Sequence, residues 1–149
     1  MYTTEENCQI VIALLKAHGI KKIIASPGST NVAFVGSVQN DPFFEVYSAI
    51  DERHAAYLAV GMSAESGEPV VLSCTGATAS RNYIPALTEA YYRKLPILAI
   101  TGSRVFSQKG QLTDQFIDRT RIQKDIATLS VWCPIVTADH IRSYCVRVV

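Results

Sequence analysis

Residues 69–78 read PVVLSCTGAT, and this stretch decides the fold class. Pro69–Cys74 is a short apolar run without polar alternation, which is typical of a strand buried on both faces of a sheet. A turn containing glycine follows, and the apolar spacing from about Thr78 to Lys94 predicts a helix. A buried strand, a turn and a helix in this order indicate one unit of a parallel α/β sheet, because parallel strands need a crossover connection.

The same unit is repeated toward the amino terminus. Apolar residues at helical spacing predict a helix over Glu5–His18, and the apolar segment Lys21–Ser26 predicts a strand. A short second helix ends near Val38, and a strand over Phe44–Ile50 follows it. The polar residues before that short helix are favourable helix caps, and they are Ser29, Thr30 and Asn31.

A longer helix is predicted directly after the Phe44–Ile50 strand. Asp51 is a favourable amino-terminal cap, and the helix extends from it to about Ser66. Gly67 is the stop signal, because glycine readily adopts the left-handed conformation that ends many helices.

The carboxyl-terminal part of the sequence continues the alternation. Pro96–Thr101 predicts a fourth strand, Gly102–Thr113 a polar loop, Asp114–Thr128 a helix and Val131–Val136 a fifth strand. Five alternations predict a doubly wound parallel sheet with helices on both faces. Residues 1–149 are numerous enough for one domain with its own hydrophobic core.

Composition excludes several classes of protein. Hydrophobic residues make up 48% of the chain and charged residues 18%, which is typical of globular rather than disordered proteins. The formal net charge of +1 argues against nucleic-acid and membrane-surface binding, since both need a concentrated basic face. The polar, acidic amino terminus has no signal-peptide pattern, and the apolar run Ile10–Leu15 is too short to span a bilayer.

The four cysteines indicate reduced thiols in a cytoplasmic protein. They form no Cys-x-x-Cys pair and have no histidine at zinc-site spacing. The chain closes on Val148-Val149 within an apolar-periodic segment, without a cap or a polar tail. A natural terminus is usually polar and frayed, so we expect the protein to continue beyond residue 149.

In a parallel sheet, ligands bind where the carboxyl ends of the strands meet. The predicted strand ends lack both the dinucleotide motif Gly-x-Gly-x-x-Gly and a phosphate loop ending in Gly-Lys-Ser/Thr. The unusual feature is the acidic pair Asp51-Glu52. Spacing alone favours ordinary roles: Asp51 as a helix cap, Glu52 as a solvated carboxylate in the first turn, and His54 as a plain helix residue.

Several segments together resemble the pyrimidine-binding domain of thiamine-diphosphate-dependent decarboxylases and synthases. Acetolactate synthase is one relative, and the menaquinone-pathway synthase that joins 2-oxoglutarate to isochorismate is closer in the stretch Ser26-Pro27-Gly28-Ser29. The matching segments are Gly19–Gly28, Asp51–Gly61, Val71–Ser80, Pro85–Ile97, Thr101-Gly102 and Thr113-Asp114-Gln115.

The resemblance implies a cofactor, site residues and partners. The cofactor is thiamine diphosphate, and Glu52 is the catalytic residue that hydrogen-bonds N1′ of its aminopyrimidine ring. The substrate is a 2-oxo acid, the reaction is that of a lyase or transferase, and the assembly is a homodimer or tetramer. Further cofactor-binding residues are Pro27, Gly28, Thr75, Gly76 and Thr78, and substrate-binding residues are Ser29, Thr30, Arg104 and Gln115.

The sequence departs from this family pattern in two ways. In the menaquinone enzyme an arginine that binds a substrate carboxylate follows Ser-Pro-Gly-Ser, whereas this chain has Thr30, which cannot form a two-pronged hydrogen bond. Arg104 is the remaining candidate for that carboxylate. The second departure is that the Gly-Asp-Gly motif of the diphosphate- and magnesium-binding domain does not occur.

Three interpretations of the chain remain open at this stage. The chain is the front portion of a longer enzyme, a separate subunit of a two-chain decarboxylase, or a doubly wound binding module without catalysis. In either of the first two cases, this chain alone would be inactive because it lacks the diphosphate domain.

Overall fold

A computed structural model describes residues 2–76, 78–103, 110–112, 122–133 and 136. Helices and strands alternate along this part of the chain. In chain order they are α1 (Glu6–Ala17), β1 (Lys22–Ala25), α2 (Val32–Val38), β2 (Glu45–Ser48), α3 (Glu52–Ser66), β3 (Val70–Cys74), α4 (Thr78–Arg81), α5 (Ile84–Arg93) and β4 (Ile97–Thr101).

The four strands form one parallel sheet in the order β2-β1-β3-β4. Ala25 at the end of β1 lies opposite Ser48 of β2 and Ser73 of β3. Ser73 in turn lies opposite Ile100 of β4. The carboxyl ends of all four strands therefore reach the same edge of the sheet.

Helices cover both faces of the sheet, which confirms the doubly wound α/β prediction. Neighbouring residues of β1 enter opposite layers, because successive side chains of a strand point to opposite faces. Ile23 packs in the layer with α1 and α2, and Ile24 packs in the layer with α3 and α5. Every residue of β3 is buried, including the polar Ser73, as its largely apolar sequence predicted.

Helix α3 begins and ends at the predicted residues. The Asp51 side chain accepts a hydrogen bond from the His54 backbone N–H at 2.8 Å, so Asp51 is the cap. Gly67 ends the helix with a φ of 69°, in the left-handed region that glycine tolerates. The ordinary role weighed for Asp51 is therefore confirmed.

The predicted helix from Thr78 to Lys94 is wrong as a single element. The chain instead forms the separate helices α4 and α5, with a turn at Asn82-Tyr83 between them. Pro85 explains the break, because it is the second residue of α5. In a continuous helix its ring would clash with the carbonyl of Arg81, and it has no N–H to donate.

The last two predicted elements are not found where the structure describes the chain. Val131, Trp132, Cys133 and Val136 lie outside any strand, and none of residues 122–128 is helical, with a turn at 124–126. Residues 114–121 of the predicted helix and 134–135 of the predicted strand lie outside the described residues. Val131 is 65% exposed and does not pack in the core of the sheet. Pro134 within that segment cannot donate to a strand ladder, which opposes the predicted pairing.

Two of the composition-based expectations can be compared with the described residues. Cys8, Cys74 and Cys133 are not joined to one another by disulfides, and Cys145 lies outside the described residues. Within the described ranges, every helix is too short or too polar to cross a bilayer.

Candidate functional site

The candidate site is the edge of the sheet where the strands end. Backbone hydrogen bonds continue past the strands and hold their ends together. The Ser26 N–H donates to the Ser73 carbonyl at 2.8 Å, and the Gly102 N–H donates to the Cys74 carbonyl at 3.0 Å. The structure thereby brings together the predicted strand ends of β1, β3 and β4.

The connections out of β1 and β3 run in opposite directions. From β1 the chain passes through α2 to β2, and from β3 it passes through α4 and α5 to β4 on the other side of the sheet. The two connections also lie in opposite layers. Such a divergence between neighbouring parallel strands creates the crevice in which α/β proteins bind ligands.

Asn31 lies at the base of this crevice and is only 3% exposed. Its Oδ1 accepts a hydrogen bond from the Gly28 N–H at 2.8 Å, and its Nδ2 donates to the Ser26 carbonyl and to Ser73 Oγ, both at 3.2 Å. The sequence offered Asn31 as a helix cap, but its side chain makes no capping bond to α2. It instead ties the loop after β1 to β3.

Two glycines allow the surrounding loops to touch. A Cβ atom at Gly28 would overlap Thr75 Cγ2, and a Cβ atom at Gly102 would overlap the Thr30 carbonyl. The Gly76 N–H donates to Thr30 Oγ1 at 3.2 Å. The loops after β1, β3 and β4 therefore form one packed unit with Thr30 at its centre.

Glu52 is the first residue of α3 and is half-buried. Because the Asp51 side chain caps the helix, Glu52 is not needed as a cap. Within the described part of the chain, its carboxylate takes part in no side-chain hydrogen bond and no ion pair. A carboxylate in the first turn is favoured by the helix dipole and here remains available to a ligand that donates a proton or hydrogen bond.

Tyr83 lies between α4 and α5 and is 1% exposed. Its buried hydroxyl makes no hydrogen bond of regular geometry with the described residues. Burial raises the pKa of Tyr83 far above its ordinary value, and Cys74 and the negative charge of Glu52 raise it further. The Tyr83 phenol therefore lies within electrostatic range of the Glu52 carboxylate.

The remaining predicted site residues are placed as follows. Pro27 and Ser29 are exposed on the loop after β1, and Thr78 is exposed at the start of α4. The Thr78 carbonyl accepts a hydrogen bond from Asn82 Nδ2 at 3.2 Å. Arg104 and Gln115 lie outside the described residues.

Two surface clefts lie away from the part of this edge that carries Glu52 and Gly76, although the first reaches the ends of β1 and β2 at Ala25 and Ser48. One, of about 300 Å³, lies between α2 and β2 and reaches Pro27. The other, of about 540 Å³, is lined mainly by residues of α3 and by Tyr47. Neither is lined by Glu52 or Gly76. In the part of the chain that the structure describes, no three metal-ligating side chains converge.

Comparison with known families gives a match over most of the chain. Residues 7–125 match the family described as "Thiamine pyrophosphate enzyme, N-terminal TPP binding domain". The chain belongs to this family. The resemblance found in the Asp51–Gly61 and Val71–Ser80 segments is thereby confirmed.

The similar curated proteins are much longer than this chain. It is 35% identical over 149 residues to the 2-succinyl-5-enolpyruvyl-6-hydroxy-3-cyclohexene-1-carboxylate synthases of Bacteroides thetaiotaomicron and Phocaeicola vulgatus. The match covers 100% of this chain and 27% of each relative, so the chain spans about a quarter of their length.

Solved structures show the same fold. The thiamine diphosphate-dependent 4-hydroxybenzoylformate decarboxylase of Rhodococcus jostii superimposes with a TM-score of 0.70 at 24% identity, over 83% of this chain and 23% of that one. The benzoylformate decarboxylase of Polynucleobacter necessarius superimposes with a TM-score of 0.64 at 23% identity, over 77% of this chain and 21% of that one. At these identities the likeness establishes the fold alone.

Two residues at the site were not identified from sequence as site residues. Asn31 carried a signal, since a polar residue after Pro27-Gly28 is suited to a loop, but one of its partners, Ser73, lies on β3. Tyr83 carried none, because the sequence placed it inside a continuous helix. In the structure Tyr83 lies in the turn between α4 and α5 and packs in the cluster that contains Cys74, the last residue of β3.

Proposed function

We propose that the chain is the aminopyrimidine-binding half of a thiamine-diphosphate-dependent enzyme acting on 2-oxo acids, by decarboxylation, carboligation or both. The observation that supports this most is Glu52, a half-buried carboxylate without a partner in the described residues, at the start of α3. A structural role for it is weakened because Asp51 already caps the helix. A protonated ring nitrogen is a suitable partner for such a group.

The residues around Glu52 fit the aminopyrimidine end of the cofactor. When bound, thiamine diphosphate supplies a thiazolium carbon that becomes nucleophilic once its proton leaves. Glu52 would hold the proton shared with N1′ of the ring and so control the basicity of the ring's amino group. A carboxylate in this role works best away from bulk water, where its proton affinity is tuned by burial and by the helix dipole.

The loops after β1 and β3 would orient the ring. The Gly28 backbone packs against the Thr75 side chain, and the hydrogen bond from the Gly76 N–H to Thr30 Oγ1 also joins the two loops. Because Asn31 joins the loop after β1 to Ser73 of β3, that loop is held in place before a ligand arrives. Preorganised loops lower the entropy lost on binding.

The diphosphate and a magnesium ion would be held elsewhere. No Gly-Asp-Gly motif occurs in the sequence, and the chain spans about a quarter of its curated relatives. We therefore treat residues 1–149 as one amino-terminal domain whose partner domain lies in the same polypeptide or on a second one. The complete enzyme, rather than this chain alone, would be active in the cytoplasm.

The substrate assignment depends on the position after Ser26-Pro27-Gly28-Ser29. Thr30 cannot form the two-pronged contact that an arginine offers a carboxylate. Its Oγ1 also already accepts a hydrogen bond from Gly76. We propose that Arg104 or Gln115 contributes to holding the 2-oxo acid and that Thr30 mainly shapes the loops.

The division of the cofactor between two domains predicts the ligand preference of the isolated chain. Thiamine and thiamine diphosphate should bind it equally weakly, and Mg²⁺ should make no difference, because only the aminopyrimidine would be contacted. A small contact area leaves little affinity after the entropy of association is subtracted. Titrations followed by amide NMR shifts at Glu52 and Gly76 would measure both affinities. Tighter, Mg²⁺-dependent binding of the diphosphate would show that the wrong half of the site was assigned.

Because α3 and α5 expose large apolar side chains, we expect the isolated chain to associate with itself. In the proposed enzyme these helices pack against a further domain, so their apolar side chains are meant to be covered. Sedimentation velocity should show dimers or larger species that increase with concentration. The residues concerned are Tyr57, Leu58, Tyr91 and Tyr92, exposed by 44, 38, 38 and 69%.

Matched variants would show whether these side chains cause the association. Leu58→Ser combined with Tyr92→Ser should shift the chain toward monomer. Tyr2→Ser, which removes a similarly exposed aromatic ring from another part of the surface, should not. A wild-type chain that sediments as a monomer at high concentration would contradict the prediction.

A further inference from the structure

Asn31 binds both backbone groups of Gly28 in the loop after β1. Asn31 Oδ1 accepts a hydrogen bond from the Gly28 N–H at 2.8 Å, and the Asn31 N–H donates to the Gly28 carbonyl at 3.2 Å. Asn31 Nδ2 also donates to the Ser26 carbonyl at 3.2 Å. The residues on either side of Pro27 are therefore held by one side-chain amide, and Pro27 itself has no N–H to donate.

The chemistry of these partners requires an amide at position 31. The Gly28 N–H can only donate and the Ser26 carbonyl can only accept, so the side chain between them must both accept and donate. Asn31 Nδ2 reaches a second acceptor, Ser73 Oγ of β3, at 3.2 Å. A carboxylate has no proton for either acceptor, and a hydroxyl has only one. Because Asn31 is almost fully buried, water does not readily replace a lost partner.

The bond from Asn31 to Ser73 holds this loop against the end of β3. Ser73 lies two residues before Thr75. The Gly28 backbone packs so closely on the Thr75 side chain that an added Cβ atom would overlap Thr75 Cγ2. Gly28 and Thr75 are two of the residues proposed to bind the cofactor. The Asn31 amide therefore restrains one of these residues relative to the other.

The turn that carries Glu52 is held by a different set of bonds. The Ala49 N–H donates to the Ala25 carbonyl at 3.0 Å, and Ser26 Oγ donates to the Ala49 carbonyl at 2.7 Å. Asn31 takes part in neither bond, since its contact with Ser26 ends on the backbone carbonyl. Loss of the Asn31 amide should therefore disturb the loop after β1 and leave the Glu52 carboxylate in place.

We propose that Asn31 is a positioning residue for the cofactor, whose amide presets the loop after β1 against Thr75 before the aminopyrimidine ring binds. This inference rests on the proposed function of the chain. It assigns Asn31 no contact with the cofactor and no part in proton transfer. Because the loop is ordered in advance, less conformational entropy is lost on binding, and the benefit appears in affinity rather than in activation of the cofactor.

The test measures two properties of the complete enzyme in the presence of Mg²⁺. One is the Kd of thiamine diphosphate, obtained by calorimetry, and the other is the rate of deuterium exchange at C2 of the bound cofactor at saturation. Asn31→Ala should raise the Kd by about tenfold, and Ser73→Ala by about threefold because the bond to the Ser26 carbonyl remains. Exchange at saturation should stay within about twofold of wild type in both variants, since Glu52 is retained.

Two further variants exclude a general structural effect. Ser63→Ala also removes a buried hydroxyl, which donates to the Glu68 carbonyl at 3.1 Å near the opposite end of β3. It should lower the thermal midpoint without changing the Kd. In the double variant of Asn31→Ala and Ser73→Ala, the Kd should be no higher than in Asn31→Ala alone, because the Ser73 hydroxyl has already lost its partner.

The outcomes separate this inference from the proposed function. A wild-type Kd in Ser73→Ala would overturn the inference, even if Asn31→Ala does not fold. Additive effects of these two substitutions, an equal rise of the Kd in Ser63→Ala, or slow exchange at saturation in Asn31→Ala would also overturn it. Glu52→Gln, measured alongside, should slow exchange with little change in the Kd. Wild-type exchange in that variant would instead remove the basis of the proposed function.

Discussion

Replacing Glu52 with glutamine is expected to reduce turnover of the complete enzyme by about a hundredfold or more, the usual scale for a lost general acid–base group. Glutamine keeps the size of the side chain and a hydrogen-bonding group, but its amide cannot exchange a proton. The affinity for thiamine diphosphate should fall far less, because the diphosphate and magnesium contacts would be untouched. Consumption of the 2-oxo acid, measured across a cofactor titration, gives both quantities.

Asp51→Asn is the matched control for that substitution. It changes the neighbouring carboxylate, yet asparagine caps helices as well as aspartate does, so the bond from the His54 N–H is retained. We expect turnover to stay within a few-fold of wild type. Equal losses in the two variants would mean that the start of α3, rather than the Glu52 carboxylate, determines activity.

Gly102→Ala is expected to lower the free energy of unfolding of the chain by about 2–3 kcal/mol, toward the upper end of what overpacking costs. The added methyl group would overlap the carbonyl oxygen and carbon of Thr30. These are backbone atoms, and Thr30 is also held by its bond from Gly76, so neither can rotate away. Chemical denaturation with a constant m-value would measure the loss.

Gly36→Ala provides the control for this prediction. Gly36 lies inside α2, and a Cβ atom there would meet nothing within 4 Å. Alanine should therefore raise the free energy of unfolding by about 0.5–1 kcal/mol, the helix-propensity difference. A Gly102→Ala chain as stable as wild type would contradict the close packing of the loops after β1 and β4.

The fold followed from sequence wherever local signals agree with tertiary packing. In β3, the largely apolar sequence agrees with burial of the whole strand. In α3, the cap at Asp51 and the stop at Gly67 agree with the observed helix ends. The helix after β3 was predicted as one piece because apolar periodicity outweighed the single proline. In the folded chain, Pro85 has no N–H for a helical hydrogen bond, and its ring would clash with the preceding turn. The helix is therefore broken into α4 and α5.

The last predicted strand shows a different limit of sequence analysis. Val131–Val136 has the composition of a strand, but entry into a sheet requires a partner edge and backbone donors. Val131 is exposed in the structure, and Pro134 lacks an N–H. Short apolar runs do not by themselves specify pairing, because pairing is a non-local contact.

The candidate site was predictable in its position but only partly in its contacts. Strand ends identify the edge at which Gly28, Thr75 and Glu52 belong, since parallel strands direct their following loops to one side. The hydrogen bonds of Asn31 and the burial of Tyr83 depend on which loops meet in three dimensions. The bond from Asn31 to Ser73 joins residues 42 positions apart, and contacts of this kind leave no periodic pattern in the sequence.

The central claim is that Glu52 activates the cofactor, and deuterium exchange at C2 of bound thiamine diphosphate tests it most directly. The rate is followed by NMR in deuterated water for wild type, Glu52→Gln and Asp51→Asn, all saturated with cofactor and Mg²⁺. We predict that Glu52→Gln slows exchange by about a hundredfold or more, whereas Asp51→Asn stays near the wild-type rate. Exchange in Glu52→Gln as fast as in wild type would contradict the account, and Glu52 would then be an ordinary carboxylate in the first turn of α3.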